Sequence, residues 1–291
     1  MILPARSGTP SGGVEALALA VAGFALFAAG DAASKLVVVE SNTVTVLWGR
    51  SLAFLLVTVL LIGPHRVVPV LRGTPVRLLL LRSVFPCLGG LCVIGASAYL
   101  PLAQVTTVLF VAPLLSMVFG YHILGERVGP WGWVAVLLGF AGVLAIMRPF
   151  GGDFSWALVI PALGGVFAAM GQVLTRLVAQ RTTPRAIVLY LALLMLALSS
   201  LPLPLFWQAP SAGQWWVLAL AGACQALGQF SMVAAYARAA ASRIAPYSYA
   251  QLLTAALLGF ALFGEVPDAM TLLGAALIVA GGLISLRLAG R

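Results

Sequence analysis

Two stretches of this chain repeat one another. Gly120 to Arg148 reads GYHILGERVGPWGWVAVLLGFAGVLAIMR, and Gly259 to Arg287 reads GFALFGEVPDAMTLLGAALIVAGGLISLR. Glu126 recurs 139 positions later as Glu265, and the same step carries Gly120 to Gly259, Gly125 to Gly264, Gly142 to Gly281 and Arg148 to Arg287. With small gaps the likeness reaches further back: Gly23, Gly30, Ser34, Lys35 and Leu36 echo Gly164, Gly171, Thr175, Arg176 and Leu177. A fold made of two copies of one unit must satisfy both copies with the same packing rules.

The solvent those copies expect is a bilayer. The chain is 62% hydrophobic and 8% charged, with a mean hydropathy of +1.11, more apolar surface than a soluble core absorbs. A net charge of +9 raises nucleic acid as a partner. The arginines, however, sit singly between apolar runs and form no stripe, so that class is excluded. The three cysteines have no metal-ligand spacing and read as packing residues. No cofactor and no metal is expected. The first residues are rich in Gly, Ser and Pro and read as a disordered N-terminus over 1–14, with no cleavage pattern before the first apolar run.

A membrane-crossing helix needs about 20 mostly apolar residues. Ten such runs are predicted: 15–38, 43–63, 77–97, 101–123, 130–148, 156–178, 184–206, 214–236, 243–263 and 269–288. Residues 15–148 form a first repeat of five spans, 149–155 an external linker, 156–288 a second repeat and 289–291 a tail. The loops after even-numbered spans hold nearly all the basic residues, leaving only Lys35, Arg50 and Arg148 for the other side. The positive-inside rule then puts both termini in the cytoplasm. Five spans per repeat invert the second copy relative to the first. Glu126 falls at the cytoplasmic end of its helix pair and Glu265 at the external end. The fold expected is therefore all-α and integral to the membrane: ten transmembrane helices in two inverted five-helix repeats around a central cavity.

Polar groups inside spans are costly and usually face a cavity. Span 1 holds Asp31, Ser34 and Lys35. Asp31 and Lys35 are four apart and can pair; Arg50, in span 2, is another partner for Asp31 or for a substrate carboxylate. Asp31, Lys35 and Arg50 are the candidate coupling or substrate-charge residues, with Asp31 a site for a coupled proton or for a substrate amine. A cavity lining is expected from Trp48, Tyr99, Gln104, Thr107, Gln225, Gln229, Tyr236, Tyr247 and Gln251, amides and phenols suited to a polar, zwitterionic or neutral organic solute. The bland alternative for each is interhelical bonding or interfacial anchoring. Pro86, Pro113, Pro161 and Pro246 lie within or near the start of spans and are candidate hinges. Gly125 and Gly264 suit left-handed helix caps, with the following Glu favouring the next helix's dipole. Ala135/Gly139 and Ala276/Ala280 form small-xxx-small pairs that mark tight packing or a dimer contact, leaving monomer and homodimer both open.

Pro113, Gly120, Gly125, Glu126, Gly139, Ala141 and Gly142, and again Gly259, Gly264, Glu265, Gly274, Ala280 and Gly281, resemble the doubled pattern of the drug/metabolite transporter superfamily in its EamA-domain branch. Leu252 stands where the first half has Pro113. The resemblance covers about residues 15 to 288. It implies a secondary carrier of the bacterial inner membrane, with spans 3, 4, 8 and 9 lining the cavity and spans 1 and 6 rocking against them. It also implies amino-acid export as the leading activity, with the aromatic lining suiting bulky apolar side chains. Another metabolite, a nucleotide sugar or a hydrophobic drug is the alternative cargo. No GxxxxGK[ST] loop is present to bind ATP, and His65 and His122 have no acidic companions from which to build an enzyme site.

Overall fold

The computed structural model describes residues 10–72, 76–125, 129–147, 155–179, 182–238 and 245–289. Thirteen α-helices run through them: α1 (Pro10–Val38), α2 (Thr43–Ile62), α3 (Pro64–Leu71), α4 (Val76–Ser97), α5 (Leu102–Leu109), α6 (Ala112–Leu124), α7 (Pro130–Met147), α8 (Val159–Ala179), α9 (Pro184–Ser200), α10 (Leu203–Phe206), α11 (Ala212–Arg238), α12 (Tyr249–Phe263) and α13 (Ala269–Ala289). Among the described residues no strand is present.

Seven helical stretches are long and apolar enough to cross a membrane: Val14–Val38, Thr43–Ile62, Val76–Ser97, Leu102–Ile123, Pro130–Met147, Trp156–Thr175 and Ala212–Ala235. Three shorter apolar helices, Pro184–Ser200, Tyr249–Phe263 and Ala269–Gly281, occupy the other three expected spans. Several boundaries differ from expectation. Helix α1 opens at Pro10, inside the segment expected to be disordered; Pro suits a first helical turn, where its missing N–H is no loss. Span 4 is two helices, because α5 ends in a tight turn where Phe110 N donates to Thr106 O and Thr107 O, at 3.1 Å each. Short α3 follows Gly63, whose φ of 90° turns the chain out of α2.

The prolines separate by position. Pro86 is interior to α4. Pro113 lies in the first turn of α6 and Pro161 in the first turn of α8, and Pro246 falls in a 3-10 turn, 245–248, before α12. Proline in a first turn removes no helical hydrogen bond, so those three mark helix starts rather than interior kinks.

Both repeats use the same joints. Gly125 and Gly264 end α6 and α12 with φ of 67° and 66°, the left-handed cap that glycine adopts without strain. A Cβ on Gly228 would lie 3.1 Å from Gly23 O, and one on Gly89 would lie 3.5 Å from Gly164 O. Thus α1 crosses α11 as α8 crosses α4. A Cβ on Gly142 would meet Gly274 O at 2.7 Å, and one on Gly281 would meet Ala135 O at 2.7 Å. These last contacts exchange when each residue is replaced by its counterpart 139 positions away, as two copies related by a twofold axis require. Ala135 is thereby engaged within the chain, packing α7 on α13.

Two large apolar clusters flank this framework. One joins Val93, Val105, Phe110, Val143 and Ile278; the other joins Val46, Phe54, Ile94, Leu191 and Leu218. Helix α1 packs against α2, α4, α11 and α12 and carries the charged residues Asp31 and Lys35 among them.

Candidate functional site

The polar group nearest the middle of α1 is built around Arg50, which is only 5% exposed. Its Nη1 donates to Asp31 Oδ1 at 2.9 Å and to Ser34 Oγ at 3.1 Å. Its Nη2 donates to Gln225 Oε1 at 2.6 Å. One guanidinium therefore binds α1, α2 and α11 together, and its buried Nε has no partner among the described residues. Ser34 Oγ donates its own hydrogen bond to Gly30 O, 2.7 Å away and one turn back. The lost hydration of Arg50 is offset by three hydrogen bonds, one of them to the opposite charge of Asp31.

Lys35 does not pair with Asp31, although their spacing permits it. Its ammonium forms an ion pair with Glu265 and donates to Leu100 O at 2.7 Å. It also lies 5.0 Å from the centre of the Phe263 ring, within cation–π range. The second oxygen of Glu265 accepts from Leu102 N at 2.8 Å. That bond satisfies an amide of the first turn of α5, which the helix cannot bond itself. The end of α1, the α4–α5 turn and the α12–α13 turn are thus tied by one carboxylate and one ammonium. Glu265 does not begin the next helix as expected. Asp268 takes the N-terminal cap of α13 instead, accepting from Thr271 N at 2.9 Å. Glu126, the counterpart of Glu265, lies outside the described residues.

The expected lining residues fall into different surroundings. Gln104, Gln229 and Gln251 are half-buried. They sit on α5, α11 and α12, and their carboxamides have no hydrogen-bond partner among the described residues. Gln225 is already held by Arg50. Thr107 is buried, with its hydroxyl given to Ala103 O at 2.6 Å. Tyr247 packs against Ala20, Met232 and Ala235. Tyr236 lies in α11, its side chain outside the described residues, as is that of Pro113. Tyr99 is 76% exposed in the turn after α4. Trp48 is not brought to this group. Its indole N–H donates to Ser200 Oγ at 2.9 Å, and its ring packs edge-on against Trp207 and Trp215 at 5.7 and 6.2 Å. Such a cluster is what an indole with one polar edge forms most readily.

Tyr249 borders open space. It stacks on Phe110 at 5.9 Å and donates to Val279 O at 3.2 Å. With Thr107, Leu252, Leu253 and Thr271 it lines an apolar crevice of about 220 Å³ between α5, α12 and α13.

Glu265 and Arg82 stand outside the expected lining, and the structure gives both side-chain partners within the bundle. The doubled Gly-Glu marks the first, but the motif alone reads as a cap. Arg82, on α4, reads as one more cytoplasmic-side cation. In the structure it is 8% exposed, with Nε donating to Thr175 Oγ1 at 2.8 Å.

Comparison with known proteins accounts for the duplication. Residues 15–148 and 155–287 each match the model of the EamA-like transporter family. A riboflavin transporter of Vibrio cholerae is 34% identical over 202 residues, which is 69% of this chain and 68% of that protein. The pseudopaline exporter CntI of Pseudomonas aeruginosa is 32% identical over 214 residues, 72% of this chain and 73% of that one. An S-adenosylmethionine uptake transporter of Rickettsia prowazekii is 27% identical over 180 residues, 62% and 61% of the two chains. A solved crystal structure 24% identical in sequence superimposes with a TM-score of 0.65 over 96% of this chain and 98% of its own, a likeness of fold alone.

Proposed function

The chain belongs to the EamA-like transporter family, and from that premise we propose that it is a secondary carrier of a polar organic metabolite across the bacterial inner membrane. The reading has ten spans, both termini in the cytoplasm, and two inverted repeats that exchange roles as the site opens to one side and then the other. The observation that carries it is the set of half-buried amides, Gln104, Gln229 and Gln251, whose carboxamides have no partner among the described residues. A carboxamide facing lipid or apolar packing with nothing to bond costs free energy. A wet cavity supplies the bonds, and a solute replaces the water there.

Amino-acid export is the finer expectation, and the named relatives do not carry it: they handle riboflavin, pseudopaline and S-adenosylmethionine. The cargo that suits unpartnered amides beside aromatic rings is a solute with several hydrogen-bonding groups and a flat or bulky apolar part. Riboflavin-like heterocycles and aromatic amino acids both meet that description. In this reading Lys35 and Glu265 hold the external end closed and separate when it opens. The same reading keeps Asp31, held by Arg50, as the site at which a coupled proton would act, and Pro86 as the hinge.

Counterflow in proteoliposomes tests this. Vesicles are loaded with unlabelled riboflavin or phenylalanine, and entry of the labelled compound is followed with and without a pH gradient. Exchange without a gradient marks a facilitative carrier; entry only with the gradient marks proton coupling. Absence of exchange for both cargo classes, with folded protein in the vesicles, would remove this substrate reading.

A further inference from the structure

Equivalent hydroxyls of the two repeats each accept from an arginine of the first repeat, and only one of those arginines is neutralised by a carboxylate among the described residues. Ser34 and Thr175 are counterparts in the repeat, as are Gly30 and Gly171. Each hydroxyl bonds back to its glycine: Ser34 Oγ to Gly30 O at 2.7 Å and Thr175 Oγ1 to Gly171 O at 2.6 Å. Each also accepts from a guanidinium, Ser34 from Arg50 at 3.1 Å and Thr175 from Arg82 at 2.8 Å. Arg50 comes from α2 and Arg82 from α4, so the arrangement is reached from different helices.

The difference lies in the counter-ion. In the first repeat Asp31, directly after Gly30, takes the charge of Arg50. The residue directly after Gly171 is Gln172, which is exposed. Among the described residues the basic side chains with carboxylate partners are Lys35, Arg50 and Arg238, and Arg82 is not one of them. Among the described residues its buried Nη1 has no hydrogen-bond partner, and neither does the buried hydroxyl of neighbouring Ser83. A guanidinium withdrawn from water without a counter-ion is among the costliest arrangements a protein holds, and guanidinium forks match carboxylate and phosphate oxygens.

We infer that Arg82, steadied by Thr175, is an oxyanion-binding site for the transported solute. The carboxylate or phosphate of that solute takes the place that Asp31 fills in the first repeat. The inference deepens the carrier reading and rests on it for the arrival of a solute. It assigns one charge to a cargo otherwise read only as polar.

The test is thermal stabilisation of the purified full-length protein by matched pairs differing in the oxyanion: phenylalanine with phenylalaninamide for a carboxylate, and flavin mononucleotide with riboflavin for a phosphate. In wild type at least one anionic member is expected to stabilise at about tenfold lower concentration than its partner, as one charge-assisted contact allows. Arg82→Gln is expected to erase that preference, and Arg82→Lys to retain part of it. Without ligand, Arg82→Gln is expected to melt no lower than wild type, because it removes an unpaired charge. No anionic preference in wild type, or a preference that survives Arg82→Gln, overturns the inference. So does ligand-free melting of Arg82→Gln well below wild type. Counterflow of the same compounds separates the two claims: exchange without anionic preference keeps the carrier and removes the site. Arg82-dependent stabilisation without exchange keeps the site and removes the carrier reading.

Discussion

Asp31 and Lys35 stand one helical turn apart on α1, and each leaves the other for a partner on a different helix. Asp31 meets Arg50, which also holds Ser34 and Gln225, so that pair is a bracket across α1, α2 and α11. Lys35 meets Glu265, and both ends of that pair touch backbone, at Leu100 O and Leu102 N. The bracket lies among side chains of helices that cross closely. The tie lies where three chain turns converge, with Glu265 the more exposed member at 18% against 6% for Lys35. Pairing within α1 would have neutralised both charges while leaving Arg50 and Glu265 alone in apolar surroundings. Satisfying four charges rather than two decides the arrangement.

If that account is right, the bracket is the costlier to break. Asp31→Ala leaves Arg50 buried and uncompensated, and is expected to lower stability by about 3–5 kcal/mol, read as a fall in the melting temperature of purified protein. The double change Asp31→Leu with Arg50→Met should recover most of that loss, since it removes both charges. A single change no worse than a surface substitution would show that water already reaches Arg50 and that the bracket is not a packed unit.

The tie should cost less and open more. Lys35→Met removes two charge-assisted hydrogen bonds, but water reaching the more exposed Glu265 takes over part of the loss, leaving a cost of about 1.5–3 kcal/mol, that of one such bond. Its sharper readout is access. Ala103, in the first turn of α5 beside Leu102, is 4% exposed. A cysteine placed there, in a background lacking Cys87, Cys92 and Cys224, should react faster with a membrane-impermeant maleimide when Lys35 is Met. Equal labelling in both backgrounds would mean that the pair is structural and holds no opening closed.

The helix crossings provide an uncharged comparison between the repeats. Gly142→Ala and Gly281→Ala each place a Cβ 2.7 Å from a backbone oxygen, and neither oxygen can move aside without its helix. Each is expected to cost about 1–2 kcal/mol, toward the lower part of the overpacking range, and the two costs should agree closely. A large cost at one position with tolerance at the other would break the equivalence of the repeats.

The duplication, the apolar segments and the glycine caps were legible because each depends on local composition or on one residue's backbone freedom. Gln225 differs: its amide reads as cavity lining, and in the structure it accepts from Arg50 instead. Which charges pair was not legible: Asp31 with Lys35 satisfies the spacing rule, and only the packing of α2 and α12 against α1 brings Arg50 and Glu265 into range. Trp48 shows the same limit. An aromatic residue near a charge reads equally as lining or anchor, and the arrival of Trp207 and Trp215 from far along the chain decides it. Arg82 reads as a cytoplasmic-side cation until its burial against Thr175 is seen. Pro86 differs from Pro161 only by its place within a helix, and the helix start at α8 is set by a 3-10 turn that composition does not signal.

The smallest effect is expected at Tyr249, and it calibrates the others. Tyr249→Phe keeps the stack on Phe110 and removes one neutral hydrogen bond to Val279 O. That carbonyl lies within α13 and has a second lone pair for its own helix, so no acceptor is stranded. The cost should be about 1 kcal/mol, visible as a small drop in melting temperature with transport intact. Because Tyr249 lines the crevice between α5, α12 and α13, the variant also tests whether solute reaches that face. A fall in transport rate out of proportion to the loss of stability would place the phenol on the transport route. A loss of stability equal to that of Asp31→Ala would instead show that a neutral bond and a buried charge pair weigh alike in this bundle, and the contrast between bracket and tie would lose its electrostatic basis.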